Sequence, residues 1–539
     1  MYRGVSRVGG CRFAATLLLG SMAIGIQVPG CSTGDPCVGK LVGCPLGTGG
    51  SGDAGGGGDS GGVIPTPECD PQLAGAGVDD GCGVFVSEDG DDGAAGTKEA
   101  PLKSIGEAIA RVDGADKPHV YVCVGSFEEA VSVRTKVSIF GRLDCKTEGA
   151  NWRWTSTGET LLTTPPTAPP GTAPLTMSAA GKSVRIEDFH VVAPSITVDL
   201  EDPDNPDNKD RYGKSSIAAI ADGGNIALER CTFDAGEAAP GAPGALHRQR
   251  AAEGGNGSSG SEACTAGTVT TDEPPENDCG IPNDSSDNSI GGLGGNGTST
   301  QAGAGTAGSP GEDANPNGGV RSSGGACGAG KEGQSGRAGD AGDDAKGTGT
   351  IDSTGFIGLT GGAGKPGIPG QGGGGGAGAR GGSACPAGSP GTGGASGGSG
   401  GAGGCGGAAG KGGGAGGSSI ALLGIDATLT FEDVLLRAKA GGRGGAGGEG
   451  QIGGRGGAPG SGGPGPTALS TGCDGGEGGD GGNGGPGGKG SDGHSLGIAY
   501  LGHPPPEEGE GVVAIEVGAA TGNGLAEKMK DFTTSSASP

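Results

Sequence analysis

Acidic and polar residues cluster in two short stretches, "SEDGDDG" (87–93) and "EDPDNPDNKD" (201–210), crowded with carboxylates as calcium loops are. Neither has the twelve-residue loop order ending in a glutamate, so solvated acidic turns are the plainer reading. His119, His190, His247, His494 and His503 are scattered, with no HExxH and no Cys/His cluster of metal-ligand spacing. Trp152 and Trp154 in "NWRW" share one face of an extended segment, which suits stacking on a sugar ring but equally suits packing. "GKSS" (213–216) lacks the glycine that opens a phosphate loop, and no GxSxG elbow is present. These residues assign no catalytic group, no metal and no cofactor, and the expectation is a protein that is not an enzyme.

What must position them is a mosaic. The chain has 539 residues, of which 136 are glycine, concentrated in 237–417 and 441–494. Formal net charge is −26. Such an acidic chain repels phosphates, so nucleic acid is not expected as a partner.

The start is an address. "MYRGVSRVGGCR" is basic and "FAATLLLGSMAIGI" (13–26) is apolar but short for a bilayer span. "VPGC" then resembles a bacterial lipobox, and the resemblance implies that residues 1–30 are a signal peptide and that Cys31 is lipidated. By analogy with lipoproteins, Ser32 in the next position favours the outer membrane, an ordinary secreted protein being the alternative. The membrane is then a partner only through a lipid anchor. Export favours disulfides. With Cys11 removed and Cys31 lipidated, an odd number of cysteines remains, so at least one thiol is left over.

Residues 31–80 read as a flexible tether. In 81–236, "GVFVS", an acidic loop and a helix from Pro101 with Leu102, Ile105, Ala108, Ile109 and Val112 on one face resemble the entry to pectin-lyase-like β-helices. The resemblance implies an all-β chain, a right-handed parallel β-helix with an N-terminal cap helix. Short β-branched runs without intervening helices agree. Cys123 and Cys145 lie one plausible coil apart and could bond.

"SSIAAIADGGNIALERCTFDAG" (215–236) returns as "SSIALLGIDATLTFEDVLLRAKAG" (418–441) and, more weakly, as "HSLGIAYLGHPPPEEGEGVVAIEVGAATG" (494–522). The repeats read as coils at 418–440 and 495–523. The glycine blocks 237–417 and 441–494 then read as insertions leaving one corner, and 524–539 as a polar tail. The aligned second strands offer Glu229–Arg230, Glu432–Asp433 and Glu516, not an evident catalytic cluster.

Glycine recurs every third residue from 441 to 456 and from 475 to 493, the period of polyproline II. An antiparallel hairpin of the two runs sets Arg443 opposite Asp492 and Arg455 opposite Asp480. Ordering a residue costs about 1–2 kcal/mol and a hydrogen bond returns about 0.5–1.5, so only a bundle with several neighbours per arm can order itself. The runs resemble PGRS-type repeats, which implies polyglycine-II-like insertions, with Cys264, Cys279, Cys327, Cys385, Cys405 and Cys473 as staples. The expected function is a structural or adhesive cell-surface protein, with extracellular polysaccharide or a surface protein as partner. The alternative is a carbohydrate-active β-helix enzyme, a polysaccharide lyase or hydrolase.

Overall fold

The β-branched runs become short strands. The computed structural model describes residues 68–533 except 75–76, 117, 201–204, 206–207, 281–286, 311–317, 320 and 322–324. Cys31 and residues 1–67 lie outside the described residues.

Three parallel sheets carry the fold. The first holds Val84–Val86, His119–Cys123, Val137–Asp144, Ser183–Glu187, Asn225–Glu229 and Thr428–Glu432, in that order, with Arg153–Trp154 antiparallel beside Val137–Asp144. The second holds Gly125–Glu128, Thr160–Thr163, Phe189–Val192, Thr232–Asp234, Val434–Ala438 and Val513–Val517. The third holds Val131–Val133, Leu175–Ser178, Ser216–Asp222, Ser419–Ile425, Ser495–Leu501 and Ala526–Asp531. Along the chain, first, second and third sheet follow in rotation, so each full circuit adds one strand to each, and only the last circuit, after Ser495–Leu501, omits the first sheet.

Because strands pair in register, like residues stack from one circuit to the next. Val120, Ile139, Ile186, Leu228 and Phe431 form one ladder in the first sheet. Phe127, Leu162, Val191, Phe233, Leu436 and Ile515 form one in the second. Val131, Leu175, Ala219, Leu422, Ile498 and Met529 form the third. All three belong to one apolar core. Each fully buried Leu, Ile, Val or Phe contributes about 1.5–3 kcal/mol.

Helix Ile105–Val112 buries Ile105, Ala108, Ile109 and Val112 against this core. It begins later than Pro101 suggests, at Ser104, whose hydroxyl accepts the Glu107 N–H. Its free N–H groups are met by acids: Glu129 accepts from Ile105 and Gly106, and Asp92 from Lys103 and Ser104. Part of the acidic stretch 87–93 is therefore a helix cap, as carboxylates at a helix N-terminus favour.

Two boundaries shift. Cys69 is bonded to Cys82, and Tyr121 donates to the Cys69 carbonyl, so the tether's last residues are part of the fold. Ala526–Asp531, within the expected polar tail, is the last strand of the third sheet. It is polar because it ends the sheet, where Lys528 and Lys530 discourage further pairing.

The glycine blocks leave the same corner, between second and third sheets: the first between Asp234 and Ser419, the second between Ala438 and Ser495. Serines close that corner on successive circuits. Ser216, Ser419 and Ser495 each accept a backbone N–H, from Gly236, Lys439 and Gly518, all at 2.9 Å. A second row runs up the stack: Ser418 N–H donates to Ser215 Oγ, His494 N–H to Ser418 Oγ, and Leu525 N–H to His494 Nδ1. Nε2–H of His494 then donates to the Thr348 carbonyl, and burial lowers this imidazole's pKa, which keeps it neutral. Replacing Ser419 by Ala removes the partner of the Lys439 N–H in a part-buried corner, an expected loss of about 0.5–1.5 kcal/mol in denaturant unfolding. The loss should come with faster amide exchange at Lys439, and an unchanged midpoint would refute the role.

Candidate functional surface: the glycine-rich bundle and the open sheet face

The arms form a lattice rather than isolated hairpins. Along arm 394–417, successive N–H groups point three ways. Gly417, Gly414, Cys405 and Ala402 donate to Ala239, Ala242, Ala252 and Gly255 of arm 239–263. Gly416, Gly413, Gly410 and Gly407 donate to Ser491, Gly488, Gly485 and Gly482 of arm 472–493. Gly400 and Gly397 donate to Gly292 and Gly295. Arm 394–417 in turn accepts from arm 442–463, with Gly442 on Gly417, and from arm 359–379, with Gly361 on Gly413. Period three thus means one neighbour per residue class.

Glycine content follows depth. In arm 472–493 most residues are glycines and most of these are buried, while Asp474, Glu477, Asp480, Asn483 and Pro486 face out. A Cβ on Gly404, Gly413 or Gly481 would overlap the carbonyl oxygen of Gly454, Gly445 or Cys405, so these positions admit only glycine. In the outer arm 328–345 the partly buried residues recur every third position from Gly330, and the exposed ones are polar, charged or alanine.

The hairpin register matches expectation, with Gly493, Gly490 and Gly487 donating to Gly442, Gly445 and Gly448. The ion pairs do not follow. Asp492 and Asp480 accept the N–H groups of Gly444 and Gly456, and Asp492 pairs with Lys489. Asn483 and Asp474 likewise take Gly453 and Gly462. Backbone donors on that class of arm 442–463 have no arm beside them, and a short acceptor satisfies them better than a long cation reaches across. Three disulfides staple the bundle, Cys264–Cys385, Cys279–Cys405 and Cys327–Cys473.

On the stem, Cys123 and Cys145 are bonded, and Cys231 is a buried free thiol pushed up to about 12 by burial. Trp152 is buried edge-on to Phe85, so it packs. His119 is buried under the segment from Cys69 to Cys82, near the Cys82 carbonyl. Among the described residues no group of three metal-ligating side chains is present.

Among the described residues, packed segments cover two sheet faces and leave the second open. The first lies against Cys69, Val78 and Cys82. The third lies under Ile351 and Phe356 of the hairpin Thr350–Asp352/Gly355–Ile357. On the second sheet a row of charges crosses five circuits. His190 stands between Glu159 and Asp234 at 2.9 Å each, Arg437 bonds Asp234 at 3.1 Å, and Glu516 lies 3.5 Å from Arg437. Hydrogen bonds to Asp234 and Glu159 raise the His190 pKa. Beside the row a cleft of about 540 Å³ is lined by Val192, Asp234, Arg437, Lys439 and Glu516.

The sequence reading missed this row for a definite reason. The last repeat has no first-sheet strand, so Glu516 stacks on Arg437 and Asp234 rather than on Glu432. The proline run 504–506, which cannot supply ladder donors, is the signal for that omission.

A second charged group sits where strands of the first sheet end. Glu187, Glu229 and Glu432 stack in register, continuing the stacked rings of Tyr121 and Phe140. Arg185 and Arg230 intervene: Arg185 bonds Glu229 at 2.8 Å, and Arg230 bonds Glu187 and Asp188. Arg230 adopts φ 50°, stacked between Asp188 at 59° and Asp433 at 52°, a left-handed corner costing a non-glycine residue about 1–2 kcal/mol.

Burial pushes Glu187 up to about 7, against the pull of Arg185. A folded pKa above the unfolded one means that this group's contribution is complete below about 4.3 and is lost as pH rises through about 7. Glu187→Gln should therefore narrow the difference in Tm between pH 5 and pH 8. A difference as wide as in the unsubstituted protein would show that Glu187 titrates normally.

No family model, curated protein or solved structure matches this chain. Among the described residues no helix is long and apolar enough to cross a membrane.

Proposed function

We propose that the chain is an exported, lipid-anchored surface protein in which a capped right-handed parallel β-helix carries a polyglycine-II-like bundle as a stiff, hydrated, acidic display. Its role is structural or adhesive, through many weak contacts with extracellular polysaccharide or another surface protein. The observation that supports this best is the three-way hydrogen bonding of arm 394–417, which ties arms from both glycine blocks into one body while their acidic positions face solvent. The rotation of strands through three parallel sheets supports the β-helix reading. Cys31 would hold the protein to an outer membrane.

The test is amide exchange on the oxidised protein. Protection across 441–456 and 475–493 comparable to the stem strands supports rigid display. Exchange there at random-coil rates would sink it.

The open charged row favours one second reading, a carbohydrate-active enzyme using His190 and Asp234. A polysaccharide-cleaving activity abolished by Asp234→Asn in a protein of unchanged fold would replace the display role.

A further inference from the structure

One lane of the bundle is half filled. Residues 291–297 run parallel to arm 359–379 and antiparallel to arm 394–417, with Gly292 and Gly295 donating to Gly373 and Gly376 and accepting from Gly400 and Gly397. Toward the stem the lane continues without an occupant among the described residues. There the N–H groups of Gly406, Ala409, Gly412 and Ala415 and the carbonyls of Gly361, Gly364, Gly367 and Gly370 have no hydrogen-bond partner among the described residues. A cleft of about 590 Å³ opens over it, lined by Ala252, Gly280, Pro366, Gly367, Gly406 and Ala408.

The neighbouring lane ends differently. Where arm 303–309 stops, level with Gly372, the facing positions of arm 359–379 are Pro366 and Pro369, which have no N–H. Pro459 and Pro486 each remove one donor from the outward class of their arm, whereas Asp474, Glu477, Asp480 and Asn483 keep theirs toward solvent. The half-filled lane keeps all four donors.

We propose that this lane is completed by the glycine-rich segment 49–62 of a second copy of the chain. The fit is set by close approach. In 291–297 one class, Gly291, Gly294 and Gly297, must be glycine because a Cβ would overlap the carbonyls of Gly400, Gly397 and Gly394. The second class, Gly292 and Gly295, is crowded by Thr306 and Gly303 of arm 303–309, which ends before the open half. The open half therefore requires glycine at every third position only. Segment 49–62, "GGSGDAGGGGDSGG", has glycine at 49, 52, 55, 58 and 61, and its Asp53 and Asp59 fall in the uncrowded class. The nearer residues 281–286, "IPNDSS", contain no glycine.

Reach selects the second copy. In the direction of 291–297, Gly61 stands level with Gly406, about 34 Å out from Gly417 at 3.1 Å per residue. Eight residues from Gly61 to Cys69 span at most about 28 Å, and Cys69 is held on the first sheet, across the stem from the corner the arms leave. The contact is heterologous, so it builds a ring or an open row of molecules. It rests on the bundle being folded.

The experiment is sedimentation of the full chain over a concentration series, with amide exchange of 406–415, beside the variant Gly52→Val/Gly55→Val/Gly58→Val, whose changes fall outside the described residues. Expected are concentration-dependent association and slowed exchange at Gly406, Ala409, Gly412 and Ala415, both lost in the variant. A monomer at every concentration, or association untouched by the variant, overturns the proposal. Protection independent of concentration but lost in the variant overturns it in favour of the chain's own segment. Random-coil exchange of 475–493 in both proteins instead removes the folded bundle, and the display reading with it.

Discussion

Reduction of the disulfides should unfold the bundle while the stem persists. Three of the five bonds among the described residues join residues 121, 126 and 146 apart, Cys264–Cys385, Cys279–Cys405 and Cys327–Cys473. In the chain-entropy account a loop of about 100 residues is worth about 4.7 kcal/mol and one of about 15 about 3. Cys123–Cys145 closes only 22 residues and Cys69–Cys82 only 13, inside a stem that also has a continuous apolar core. The bundle has almost no such core. Its apolar contacts around the staples amount to Ala263, Cys264, Ala395 and Cys385, so the staples replace what burial supplies elsewhere. Thermal scans with and without reductant should resolve a transition that moves down by tens of degrees and another that moves little. A single transition shifted by a few degrees would mean that the arm hydrogen bonds suffice alone.

Substitution at a central glycine should do comparable damage without touching a cysteine. Gly404 donates to Gly479, and a side chain on it would overlap the Gly454 carbonyl. Overpacking a well-fitted interior costs about 1–3 kcal/mol when side chains can yield. Here the obstacle is backbone held in register by neighbours on several sides, so the arm must move as a unit and lose several bonds of about 0.5–1.5 kcal/mol each. Gly404→Val should raise exchange across 398–410, 451–460 and 476–485 together, leaving His119–Cys123 protected. Gly336→Val, on the outer arm 328–345, meets fewer neighbours and should disturb only 365–371 and 477–483. Equal effects would mean that depth in the lattice is not what selects glycine.

Much of this architecture is written in period. The β-branched runs, the repeat 215–236/418–441 and the three-residue glycine spacing are local patterns, and each corresponds to a strand or an arm. What period does not carry is which lanes adjoin. Arms 291–297 and 303–309 are too short to stand out, yet they fix the neighbours of arms 359–379 and 394–417. The charged row was hidden because Glu159 and His190 precede the repeat and Glu516 stacks one strand away from its apparent equivalent. The last strand was hidden because an edge strand is charged for a physical reason unrelated to burial.

The corner closed by Ser216, Ser419 and Ser495 has a mechanical consequence. Arms leave and re-enter the stem there, so a pull on the bundle tip runs along the arms and across their hydrogen bonds. Such a load is shear: the bonds of an arm share the force and must yield together, whereas a pull from the side would peel them one after another. A tether on the stem and a load at the tip would therefore strain the molecule in its strongest direction.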